Sequence, residues 1–232
     1  MHQYHFCLGD SLDKIFPGRP PKDRENPFRA GCFAGERTAF QIAYTIDYHD
    51  SHMLEEDIKF EIKTPPGMEV KVFRAALVPS AYPCSGLSDD DYLTKEPGMF
   101  PDVLVPLPAS TVRAVPGQWR ALWVQICIDR DMRPGNYAVT VSVSVKDGEI
   151  LWKREAEIMV HSGKLPAQRL IHTEWLHADC LADYYRVPVF SEQHWQILKK
   201  FVTLAAESGI NTILTPLFTP PMDTAVGGER TT

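Results

Sequence analysis

The chain has 232 residues, of which 44% are apolar and 23% charged, and a formal charge of −6. That is enough chain for one large or two modest domains with a buried core. A negative balance, with no basic block interleaved with aromatics, argues against a nucleic-acid surface. No run of about 18 apolar residues occurs, so no membrane-spanning helix is expected. The first stretch, MHQYHFCLGDSLDKIF, lacks a basic region followed by an apolar one, which sets the expectation of a cytoplasmic chain without a secretory signal. Five cysteines, at 7, 32, 84, 127 and 180, are odd in number and widely spaced. They fit neither a disulfide scaffold nor a CxxC metal site.

Fourteen of the nineteen prolines and eleven of the fourteen glycines lie before residue 165, where they cut the chain into short pieces and favour strands over a helical bundle. Phe40, Ile42, Tyr44 and Ile46 alternate with Gln41, Thr45 and Asp47. Ile58, Phe60 and Ile62 alternate with Lys59, Glu61 and Lys63, and Pro65-Pro66-Gly67 separates them from Met68, Val70 and Val72. Each reads as a strand with one buried and one wet face. Residues 79–117, rich in proline and carrying Asp89-Asp90-Asp91, read as a surface excursion with one short strand near Val103–Leu107. Alternation returns at Leu122, Val124, Ile126 and Ile128, and after the turn Arg133-Pro134-Gly135-Asn136 at Tyr137, Val139, Val141, Val143 and Val145. Asp147-Gly148 reads as a hairpin turn, and Ala156, Ile158 and Val160 close the series. Roughly seven strands with hairpin connections predict two packed sheets, an immunoglobulin-like β-sandwich over residues 1–163.

From residue 164 the pattern changes. Leu170–Thr173 reads as a short strand, followed by loop to Pro188. Ser191 then reads as a helix N-cap with Glu192 in the first turn. Trp195, Leu198, Phe201, Val202 and Ala205 recur at helical spacing, Gly209 stops the helix, and Ile210–Leu214 reads as a buried parallel strand. One βαβ unit leaves a sheet face and edge uncovered, so the sequence is expected to continue past Thr232.

The richest polar cluster is His172-Thr173-Glu174-Trp175-Leu176-His177-Ala178-Asp179-Cys180. At the C-terminal end of a parallel strand, where ligands gather in α/β folds, Glu174, His177 and Asp179 suit sugar hydroxyls and Trp175 a sugar face. Phe218 and Asp223, in the loop after the second strand, are expected on the same side. Ordinary loop packing is the alternative. His172, His177, Asp179 and Cys180 match no standard metal spacing, and no metal or cofactor is expected. The triplet Asp89–Asp91 reads as a solvated turn. Trp119, Trp123 and Trp152 are either core rings or a carbohydrate platform. No two carboxylates show a spacing diagnostic of glycoside hydrolysis.

The stretches HTEWLHADCLADYY (172–185), VFSEQHW (189–195) and GINTILTPLFTPPMDTAVGGERTT (209–232) closely resemble the start of the catalytic domain in glycoside hydrolase family 123. The resemblance implies a mostly-β chain: the sandwich, then the first βαβ unit of an incomplete (β/α)8 TIM barrel over residues 164–232. It implies a glycan substrate and retaining hydrolysis of terminal β-linked N-acetylgalactosamine, in which the substrate's own 2-acetamido oxygen is the nucleophile. His172, Glu174, Trp175, His177, Asp179, Phe218 and Asp223 would line the substrate side. The adjacent Asp-Glu pair that serves this mechanism in the family lies on a later barrel strand and has no counterpart here. Glu55-Glu56-Asp57 belongs to the sandwich. The chain is therefore expected to be an inactive fragment of such an enzyme. A non-catalytic carbohydrate-binding or structural β-sandwich module is the other reading.

Overall fold

β-Branched and aromatic residues recur at every second position through most of the first 165 residues, and strands follow from that. The computed structural model describes residues 3–22, 28–47, 56–82, 92–145 and 148–215. The chain divides into two units, Met1–Leu165 and Pro166–Thr232.

The described residues of the first unit hold ten strands: β1 (Tyr4–Asp10), β2 (Phe28–Ala34), β3 (Arg37–Ile46), β4 (Glu56–Lys63), β5 (Met68–Ser80), β6 (Gly98–Pro106), β7 (Thr111–Ala114), β8 (Arg120–Ile128), β9 (Gly135–Val145) and β10 (Ile150–Lys164). They form two five-stranded sheets, in the orders β1-β3-β8-β5-β6 and β2-β10-β9-β4-β7. Every neighbouring pair is antiparallel except β2 with β10, which run parallel. The inner faces share one core. Phe40, Ile42, Leu122, Val124 and Ile126 from the first sheet meet Ile58, Val139, Val141, Val143 and Ile158 from the second.

Three expectations need correction. The connections are mostly not hairpins: only β5–β6 and β9–β10 are consecutive strands that pair within a sheet, and the others switch sheets. Alternation shows which face is buried but not which strand lies alongside. The proline-rich excursion contains β6 and β7 rather than one short strand. β6 accommodates Pro101 and Pro106 because it is the outer strand of its sheet, where a missing N–H leaves no ladder bond broken. Finally, the outer face of β3 is not wet. Gln41, Ala43 and Thr45 are buried too, at most 6% exposed. Residues 11–17 cross that face. There Ile15 packs with Ala43, Ala75 and Ala121, and Trp119 lies against the group. Gln41 Nε2 donates to the carbonyls of Asp10 (2.9 Å) and Asp13 (2.7 Å). The triplet Asp89–Asp91 lies outside the described residues.

In the second unit, β11 (Thr173–Trp175) and β12 (Thr212–Leu214) pair in parallel, with α1 (Ala178–Tyr185) and α2 (Glu192–Glu207) between them in the chain. Ser191 caps α2, its side chain accepting from His194 N–H at 3.3 Å. The helix ends as expected. Gly209, at φ +87°, lets its own N–H reach Ala206 O and that of Ile210 reach Ala205 O, which satisfies two terminal carbonyls. Ser191→Ala should lower stability by about 1 kcal/mol, read as a shift in the urea midpoint of the helical circular dichroism signal. An unchanged midpoint would show that the cap contributes nothing.

Three expectations shift in this unit. The second strand spans Thr212–Leu214 rather than Ile210–Leu214, and it is largely exposed rather than buried. The first strand begins at Thr173, not Leu170. Asn211 supplies side-chain bonds where a ladder would run, accepting from His172 N–H at 2.9 Å and donating to Leu170 O at 2.9 Å. Leu170 and Ile171 stay exposed. The expected loop before Pro188 contains α1, which starts at His177 without a side-chain cap bond and ends on Arg186 in the left-handed conformation at φ 55°.

Candidate functional site

The candidate residues sit on β11 and the first turn of α1. Side chains two apart on a strand share a face, so His172, just before β11, and Glu174 meet: His172 Nε2 and Glu174 Oε1 are 2.9 Å apart. The partly exposed pair is reachable by polar ligands. The backbone beneath is fixed. His172 O accepts from the N–H groups of Asn211 (3.3 Å) and Thr212 (3.1 Å), and Leu176 N–H donates to Leu214 O at 2.9 Å.

The same alternation sends Trp175 to the opposite side of the strand. Trp175 is 67% exposed, and its ring stacks on His177, with centroids 6.1 Å apart and planes within 18°. The His177 Nδ1 atom is buried and has no hydrogen-bond partner. Asp179 lies in the first turn of α1, where a carboxylate complements the helix dipole, and its Oδ1 accepts from Cys180 N–H at 3.1 Å. The strand thus divides the candidates into a His172–Glu174 pair and a Trp175–His177 stack leading into Asp179. Phe218 and Asp223 lie outside the described residues. Among the described residues, no three His, Cys, Asp or Glu side chains converge where a metal ion could be held.

One residue that anchors the candidate turn escaped the sequence reading. His194, on α2, is wholly buried. Its Nδ1 accepts from Phe190 N–H at 2.9 Å, which leaves the proton on Nε2, and Nε2 donates to Ala178 O at 2.7 Å. It therefore ties α2 to the start of α1, the turn that carries Asp179. The detectable signal was its spacing: His194, Leu198, Phe201 and Ala205 form one helical stripe. A groove of about 320 Å³ runs between the strand pair and α2, lined by Trp175, Leu176, Phe201, Leu204 and Ile213, with Glu174 at its side.

In the first unit, Trp119 packs on the Ile15 group and Trp152 on the main core, 5.6 Å from Phe6. Trp123 is half-buried on the outer face beside Phe73. A flat platform of three free rings is not formed. Asp57 on β4 is engaged by Arg113 at 3.3 Å.

Residues 175–231 match the family described as "Glycoside hydrolase 123, catalytic domain". A family 123 glycoside hydrolase from Clostridium perfringens, studied for glycolipid glycan hydrolysis, superposes with a TM-score of 0.68 at 15% identity. The superposition covers 89% of this chain and 36% of that one, so this chain spans about a third of that protein's length. At that identity the likeness shows a common fold. The N-terminal domain of PorA (TM-score 0.34, 10% identity, 68% of this chain and 99% of that one) and a β-glucosidase from Listeria innocua (0.27, 10%, 69% and 17%) are more distant. No curated protein matches the chain.

Proposed function

We propose that this chain is the N-terminal part of a glycoside hydrolase that removes terminal β-linked N-acetylgalactosamine from glycans with retention. The observation that carries the reading is one of position: the family match begins at residue 175, the last residue of the first strand of a parallel βαβ unit, and runs on past the second. The preceding two-sheet unit would be the immunoglobulin-like accessory domain, and β11 to β12 the opening of a (β/α)8 barrel.

In the substrate-assisted mechanism the 2-acetamido oxygen attacks the anomeric carbon while an acid protonates the departing glycosidic oxygen. Water then opens the oxazolinium intermediate, losing its proton to the same group. On this reading the acid and the group that orients the acetamide belong to barrel strands beyond Thr232. The residues here would hold the sugar: His172 and Glu174 by hydrogen bonds to hydroxyls, Trp175 by stacking against the apolar ring face, Asp179 and His177 at the rim, and Phe218 and Asp223 from the next loop.

The test is hydrolysis of an aryl N-acetyl-β-galactosaminide. Residues 1–232 alone should release no phenol, whereas the product extended through the coding sequence after Thr232 should. Release by residues 1–232 would overturn the location of the acid. A stop codon directly after Thr232, or an extended product inert toward every β-hexosaminide, would overturn the assignment as a whole.

A further inference from the structure

The inner faces of β3, β8 and β5 carry apolar residues in register until one end of the first sheet. Ile42 pairs with Leu122, Val72 with Val124, Val70 with Ile126 and Met68 with Ile128. At that end the same inward positions hold Tyr44, Arg120 and Arg74: Tyr44 pairs with Arg120, and Arg74 pairs with Leu122, two residues beyond Arg120 on the same face. Two guanidinium groups therefore stand at core-facing positions on neighbouring strands.

These groups line a cleft of about 690 Å³, within the ordinary range of about 300–1,000 Å³ for small-molecule sites. Ala76, Leu77, Met99 and Leu107 form apolar wall, and Thr111 lies on it as well. Tyr44, 1% exposed, forms the floor, Arg120 is half-buried, and Arg74 is exposed at the mouth. Their polar groups are poorly matched by protein partners. Arg120 donates through Nη2 to Gln118 Oε1 at 2.7 Å, but its Nη1 is buried without a partner. Among the described residues, neither arginine has a carboxylate partner, and the Tyr44 hydroxyl has no hydrogen bond. Arg113, also on the lining, differs in being held by Asp57.

Burial pushes the Tyr44 hydroxyl up to about 12, against the opposing pull of Arg120 and Arg74. Arg120 is lowered, first by burial, and Arg74 acts in the same direction while Tyr44 opposes it. Buried or crowded charges of one sign demand an opposite partner, and guanidinium forks suit oxyanions.

We propose that this cleft is a binding site for a small organic anion, its oxyanion head held by Arg74 and Arg120 with a hydrogen bond from the Tyr44 hydroxyl, and its apolar body against the Leu77–Met99–Leu107 wall. The site belongs to the first unit and stands or falls independently of the proposed glycosidase activity. Calorimetric titration of the full chain with phenyl sulfate and inorganic sulfate, in dilute buffer, tests it. Saturable one-to-one binding of phenyl sulfate is expected, tighter than that of inorganic sulfate and weakened by added salt. R74Q and R120Q should each weaken it about tenfold and Y44F by less, while R29Q, on the outer strand β2, should leave it unchanged. Melting temperatures of the unliganded variants report folding. If R120Q does not fold, R74Q, at the exposed mouth, decides. Absence of saturable binding, equal affinity for both anions, or binding that R74Q leaves intact overturns the proposal.

Discussion

His194→Ala is expected to destabilise the second unit by about 3 kcal/mol, within the usual cost of emptying a buried site and orphaning its partners. The imidazole is fully buried and satisfied at both nitrogens, by Phe190 N–H and Ala178 O. Alanine would leave a cavity and an unpaired Phe190 N–H, and would strip Ala178 O of its side-chain donor. The loss falls on a strained point, because Phe190 holds a left-handed backbone at φ 59°, a conformation that costs a side-chain-bearing residue about 1–3 kcal/mol. Without the imidazole bond that turn should relax. Hydrogen exchange across residues 178–207 should then accelerate, and the urea midpoint of the helical signal should fall. A midpoint within error of the parent would show that the ring is not a structural tie.

Gln41→Leu is expected to cost the first unit about 2 kcal/mol, roughly 1 kcal/mol for each of the two hydrogen bonds lost. Leucine nearly matches glutamine in volume, so packing beside Ile15 should survive and the measured loss should report the two hydrogen bonds to Asp10 O and Asp13 O. Asp10 reinforces this turn by accepting from Leu12 N–H and Asp13 N–H at 2.7 and 3.0 Å. Residues 11–17 should loosen before the sheets do, seen as early protease cleavage there at denaturant concentrations that leave the core intact. Equal cleavage of parent and variant would count against a pinning role.

Much of the first unit was legible because alternation is a local property. Phe40, Ile42, Tyr44 and Ile46 were read as one inward face, and each is at most 1% exposed. The burial of Gln41, Ala43 and Thr45 was not legible, because it depends on a segment some thirty residues away folding back over them. The sheet-crossing connections were hidden for the same reason. In the second unit, Ser191 and Gly209 announced α2 through residue types that suit helix ends. The shorter α1 carries neither signal: His177 precedes it and Arg186 closes it. At the candidate site the His172–Glu174 pair follows from spacing two on a strand. The separation of Trp175 from that pair follows from the same period, once the strand is known to include all of Thr173–Trp175. Arg74 and Arg120 pass unnoticed in the sequence, since only strand register reveals that two arginines face inward together beside Tyr44.

The parallel pairing of β2 with β10 bears on how the protein is made. Phe28 lies opposite Ala156 and Cys32 opposite Val160, so an early strand of this unit waits for the unit's last strand. Until then its Phe28 and Cys32 side chains, both buried in the finished core, lack their neighbours on β10. Loop closure of that length places folding in the slow class, about milliseconds to seconds for sheet proteins dominated by non-local pairs. Nascent chains ending before residue 156 would expose an unmated β2 and offer chaperones a binding segment during synthesis.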